Sequence, residues 1–86
     1  MSDYAIVVTK EAQKDIAKLD SVVRKRLQKK LQFFIQSGEP LAFATQLVNV
    51  QPPTYRFRIG KHRIFFDTKG KTIRILAIER RDEAYR

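Results

Sequence analysis

The hydrophobic pattern changes period along the chain, and each period predicts an element. Tyr4 to Val8 is a short run rich in β-branched residues and reads as a strand, after which Thr9 sits where a helix N-cap belongs. From Lys10 to Leu19 the apolar positions Ala12, Ile16 and Leu19 recur at i, i+4 and i+7. That spacing gives one buried stripe and leaves Lys14 and Lys18 to solvent. Asp20 or Ser21 can cap a second helix, whose apolar positions Val23, Leu27, Leu31 and Phe34 keep helical spacing until Gly38 ends it. So short a connection predicts a helical hairpin with both apolar stripes facing one sheet. Arg24, Lys25, Arg26, Lys29 and Lys30 then line the outer side of the second helix.

After Pro52-Pro53 the period becomes two. Tyr55, Phe57 and Ile59 alternate with Arg56 and Arg58, which makes a strand with one apolar and one cationic face. Gly60-Lys61 can turn tightly into a strand over Arg63 to Asp67. Asp67-Thr68-Lys69-Gly70 reads as a second turn, and residues 72–80 as the last strand. Leu41 to Val50 suits either a short helix or an irregular stretch over the core, and is read as connection. The expectation is an α+β fold in one domain, residues 1–86: an N-terminal strand and a helical hairpin packed on a mainly antiparallel four-stranded sheet.

Composition narrows the functions open to such a fold. A chain of 86 residues and 10.1 kDa can bury one modest core, which excludes a multidomain enzyme. With no Cys and one His there is neither a disulfide framework nor a usual metal constellation, so neither metal nor cofactor is expected. No secretory leader is visible, and no segment approaches the run of about 18–20 apolar residues that spans a bilayer. A soluble, cytoplasmic protein with no membrane partner is expected.

Charge points to the partner. Eighteen Lys and Arg against nine Asp and Glu give a formal +9, the signature of a protein that meets a polyanion. The excess sits in two blocks, +4 over residues 20–36 and +6 over residues 54–86. In the second block Arg56, Arg58 and Arg63 fall on neighbouring strands of one hairpin, with Arg80, Arg81 and Tyr85 at the end of the strand beside it. They can therefore converge. Guanidiniums bind phosphate oxygens bidentately and stabilise the added charge of a pentavalent phosphoryl transition state. RNA brings its own nucleophile, the 2′-OH, so such a site needs only to orient it, move its proton and protonate the leaving 5′-oxygen. A solvated cationic face has the same spacing, and spacing alone leaves both readings open.

The strings TYRFRIGKHRIFF and ILAIERRDEAYR, preceded by a strand, KEAQKDIAKL and a basic amphipathic helix, resemble the RelE/ParE superfamily of toxins from type II toxin–antitoxin operons. The most specific parts are a Y-R-x-R-x-G-x-x-R hairpin, carried by Tyr55, Arg56, Arg58, Gly60 and Arg63, and a terminal R-x-x-x-Y, carried by Arg81 and Tyr85. The resemblance spans nearly the whole chain. It implies a microbial-RNase-like fold and, in the RelE branch, a metal-independent endoribonuclease. Such an enzyme cuts mRNA in the ribosomal A site, leaving a 2′,3′-cyclic phosphate and a 5′-OH.

On that resemblance Arg63 binds the scissile phosphate, Arg81 supports the leaving group and Tyr85 stacks on the mRNA base. Arg56 and Arg58 stand where some active members carry lysines. Arginine stays protonated at any physiological pH, so the general base is left open. His62, the one side chain with an unperturbed pKa near neutrality, is a candidate, although alternation turns it away from Arg63. Glu79 and Asp82 rank below it as ion-pair partners of the arginines. Lys61, Arg80, Arg24, Arg26, Lys29 and Lys30 would contact RNA, the helical ones on the ribosome. The partners implied are a RelB-like antitoxin encoded alongside, acidic and amphipathic, and the ribosome with its mRNA. The ParE branch, which inhibits DNA gyrase by binding, and a catalytically inactive member of the fold are the alternatives.

Overall fold

Side chains set where the helices begin. In the computed structural model, which describes residues 4–80, the Thr9 hydroxyl accepts from the Ala12 amide at 3.2 Å and opens α1, Lys10–Ala17. The Asp20 carboxylate accepts from the Val22 and Val23 amides at 2.8 and 3.3 Å and opens α2, Ser21–Gln36. The predicted stripes are the buried ones: Ala12 from α1 and Leu27 and Phe34 from α2 enter the core, with Val23 and Leu31 partly buried beside them. Ala12 is fully buried, and so small a residue lets the α1 backbone approach the sheet closely.

Five strands form one sheet in the order β1-β5-β4-β3-β2: β1 Ala5–Val8, β2 Ala44–Gln46, β3 Tyr55–Ile59, β4 His62–Lys69 and β5 Thr72–Arg80. β1 runs parallel to β5 and every other pair is antiparallel. The class agrees with the expectation, but the strand count is five rather than four. The extra strand comes from the stretch read as connection. There Pro40–Phe43 makes one 3-10 turn whose Phe43 ring stacks on Phe34 at 4.7 Å, and Ala44–Gln46 then pairs with β3 along its free edge. Three residues, Ala-Thr-Gln, carry no alternation from which a strand could be read.

The second turn is also tighter than expected. β4 continues through Asp67, Thr68 and Lys69, so both hairpins close on a two-residue Gly-Lys loop, with Gly60 and Gly70 each at φ 58°. A glycine at positive φ in the first loop position matches the right-handed twist of the flanking strands.

Packing on the inner face is largely aromatic. Ring centroids step from Phe34 to Phe57 at 4.7 Å, from Phe57 to Phe66 at 4.3 Å and from Phe66 to Tyr55 at 5.5 Å, tying α2 to the β3–β4 hairpin. Ile64, Ile73 and Ile75 fill the rest. A β-bulge in β5 sits between the pairs Phe65–Ala77 and Phe66–Ile75, which places Ile78 and Ile75 on the same face although they are three residues apart.

β1 stops opposite Ile75, so the β5 edge beyond it has no strand neighbour. Helix α1 takes that place: Asp15 accepts the Ile78 amide at 2.9 Å, and the Thr9 hydroxyl donates to the Leu76 carbonyl at 3.4 Å. Among the described residues no helix is long and apolar enough to cross a membrane.

Candidate functional site

The helices cover one face of the sheet; the residues between the core positions look out from the other. Because residues directly opposite in a ladder share a face, register fixes which side chains can meet. Arg58 lies opposite Arg63, and Arg63 opposite Glu79, forming one row across β3, β4 and β5. The next row on the same face is Thr45, Arg56, Phe65 and Ala77. Thus Arg56, Arg58 and Arg63 stand together on the open face, as alternation along β3 predicts.

Their environments differ. Arg58 is exposed, whereas Arg56 and Arg63 are half-buried, with their Nε atoms shielded from solvent. The Arg56 Nε has no hydrogen-bond partner among the described residues. Two guanidiniums directly opposite each other repel, typically by a few tenths of a kcal/mol. The buried alternate residues hold them there: Phe57 and Ile59 on β3, Ile64 and Phe66 on β4.

A second charged group shares this face at its other end. Arg74 donates from Nε to Asp67 Oδ1 at 2.9 Å and from a terminal nitrogen to Oδ2 at 2.6 Å, a bidentate pair. Those hydrogen bonds, helped by the guanidinium charge and opposed by partial burial, hold the Asp67 carboxyl below its ordinary pKa and raise that of Arg74.

The remaining predicted site residues lie elsewhere. His62 is opposite both Ile59 and Arg80, and Ile59 is a core residue, so this row belongs to the helix-covered face. His62 and Arg80 line a groove there with Asp15, Lys18, Asp20 and Val23. Arg80 does not converge with Arg58 and Arg63, contrary to the expectation from the sequence, because strand parity turns it the other way. Lys61 is exposed in the first hairpin loop. Arg24, Lys25, Arg26, Lys29 and Lys30 are exposed along α2, and Lys30 Nζ lies over the rings of Phe33 and Phe34 at 5.3 and 5.9 Å. Arg81 and Tyr85 lie outside the described residues. Among the described residues no group of acidic, His or Cys side chains could hold a metal ion.

Phe65 is the open-face residue that the sequence reading passed over. Its position two residues after Arg63 on one strand was the available signal, but the adjacent Phe66 made it equally plausible as core.

The sequence and the fold are both shared with known proteins. Residues 6–85 match the family model described as ParE toxin of type II toxin-antitoxin system, parDE. The chain belongs to the ParE toxin family. No curated protein matches it in sequence. Among solved structures, its fold is similar to that in the RelBE2 toxin–antitoxin complex of Mycobacterium tuberculosis, with 25% identity over 91% of this chain and 98% of that one and a TM-score of 0.76. The archaeal RelE–RelB complex of Pyrococcus horikoshii OT3 gives 22% identity, 94% and 97% coverage and a TM-score of 0.72. The intact RelBE complex of E. coli gives 22%, 90% and 95%, and 0.69. The ParE-family chain is therefore a toxin of a type II toxin–antitoxin system with a RelE-like structure.

Proposed function

We propose that this toxin is an mRNA endoribonuclease that works in the ribosomal A site and halts translation. The single observation that carries the reading is the pair of rows on the open face, which gathers Arg56, Arg58 and Arg63 where no helix covers them. An arrangement that accepts guanidinium repulsion and gives the Arg56 Nε no acceptor among the described residues suits an incoming phosphate better than it suits stability. In the proposed reaction the 2′-oxygen attacks the adjacent phosphorus, its proton passes to a base, and the bond to the 5′-oxygen breaks as that oxygen takes a proton. The products are a 2′,3′-cyclic phosphate and a 5′-OH. Arg63 and Arg58 neutralise the non-bridging oxygens as charge grows on them, and Arg56 holds the neighbouring phosphate.

Arg81 and Tyr85 complete the site in this proposal, supporting the leaving oxygen and stacking on the base. His62 and Arg80, on the other face, take no part in it. The exposed cations of α2 dock on ribosomal RNA, and an acidic RelB-like antitoxin neutralises the toxin between uses. The antitoxin partner draws support from the structural neighbours, which were solved as toxin–antitoxin complexes.

A second reading is favoured by the family description, which names the parDE system: binding to DNA gyrase without nuclease chemistry. Primer extension on a defined mRNA in a reconstituted translation complex separates the two, run beside a supercoiling assay. Cuts at A-site codons that disappear in Arg63→Ala and Arg81→Ala support the nuclease. Intact mRNA together with blocked supercoiling moves the function to gyrase.

A further inference from the structure

We propose that Phe65 and Arg56 form a base-stacking subsite of the open face, taking one unpaired nucleobase of a single-stranded RNA beside the phosphate-binding arginines. The inference rests on reading that face as an RNA surface and adds which part of the RNA it grips.

Phe65 is an aromatic residue on the side of the sheet away from the core. Phe33, Phe34, Phe43, Tyr55, Phe57 and Phe66 pair ring to ring in the core-side cluster, and Phe65 joins none of those pairs. Its two cross-strand neighbours are Arg56 on β3 and Ala77 on β5, a long cation on one side and a methyl group on the other. Phe65 is half-buried with only a methyl group beside it on β5, and the Arg56 guanidinium can lie with its flat face against a base while its in-plane N–H groups still donate to a phosphate. One row further along lie Arg58 and Arg63, about one residue pair away, the scale on which a base sits beside its own phosphate. An apolar ring inside a cationic face has little to gain from a protein core, but it matches a nucleotide, whose base is flat and apolar and whose phosphate is anionic.

The test measures binding of a short single-stranded RNA, 2′-O-methylated to prevent cleavage, by the full chain and by Phe65→Leu and Phe65→Trp, each checked for native circular dichroism. Leucine keeps the apolar volume and removes the flat ring. The expected loss for Phe65→Leu is roughly tenfold in affinity, from the usual worth of one base–aromatic stack. Phe65→Trp should bind as the native chain does. Since the chain contains no other Trp, its fluorescence should fall on binding. One abasic position in the RNA should weaken the native protein by the same factor and leave Phe65→Leu unaffected.

If Phe65→Leu binds as tightly as the native chain and no abasic position couples to it, while Arg56→Ala and Arg63→Ala still weaken binding, the subsite is wrong and the RNA surface stands. If the folded native chain binds no RNA, both fall.

Discussion

The two faces of the β3–β4 hairpin are made from alternate residues of the same ten or so positions, and they obey different forces. Inward, Phe57, Ile59, Ile64 and Phe66 are all at most 5% exposed and stack ring on ring or fill the gaps between. Outward, Arg56, Arg58 and Arg63 stand close together, with Phe65 between them and the Asp67–Arg74 pair. The inner face gains from water's exclusion and from packing; the outer one gives up a little stability by setting like charges side by side. The comparison teaches that strand alternation lets one face hold the fold while the other is left free for a ligand.

The largest effects should show the two faces failing in different assays. Phe66→Ala removes a ring that touches both Phe57 and Tyr55 and should cost about 3–5 kcal/mol in urea unfolding, a large share of the stability of a domain this size. Arg63→Ala should change unfolding by less than about 1 kcal/mol, since the side chain is only half-buried and its loss also removes a like charge opposite Arg58, yet lower A-site cleavage about 100- to 1000-fold, the usual result of losing one transition-state donor. If Arg63→Ala unfolded the protein as readily as Phe66→Ala does, the division between the faces would be lost.

How much of this could be read in advance depends on how local each signal is. The helix starts at Thr9 and Asp20 were legible because caps are set by side chains within three residues. The cationic face of β3 was legible because strict alternation over five residues fixes it. β2 was not, since its three residues gain their strand character only from pairing with β3. The separation of Arg80 from Arg63 needed the cross-strand register, which no run within β5 reveals. The bulge was hidden for a related reason: Ile73, Ile75 and Ile78 break alternation, and only the partner strand shows where the extra residue lies.

The tether between α1 and β5 sharpens the comparison at the edge of the inner face. Asp15 accepts the Ile78 amide where β1 has ended, so Asp15→Ala leaves a part-buried backbone donor without its acceptor. A loss of about 1–2 kcal/mol is expected in thermal or urea unfolding, together with faster hydrogen exchange at Ile78. Cleavage at the arginines should follow the folded fraction and nothing more. A full loss of cleavage in the folded Asp15→Ala protein would show that the helix-covered edge reaches the open face.

The smallest effect separates two kinds of arginine on the outer face itself. Arg74 is held by Asp67 through two hydrogen bonds, whereas Arg58 is exposed with only Arg63 opposite it on β4. The side-chain hydrogen bond and then the charge of Arg74 lower the folded pKa of Asp67, so on acidification the unfolded chain takes up this proton first. Stability from the pair is therefore complete above the ordinary Asp value, near about pH 4, and is lost as pH falls through the lower folded value. Melting temperature measured against pH should show the native protein slightly above Asp67→Asn at neutrality and the two curves converging in acid. Parallel curves would mean that the pair adds nothing. Because its charge is already answered, Arg74→Ala should leave cleavage nearly intact where Arg58→Ala does not, which places the boundary of the working surface between Phe65 and Asp67.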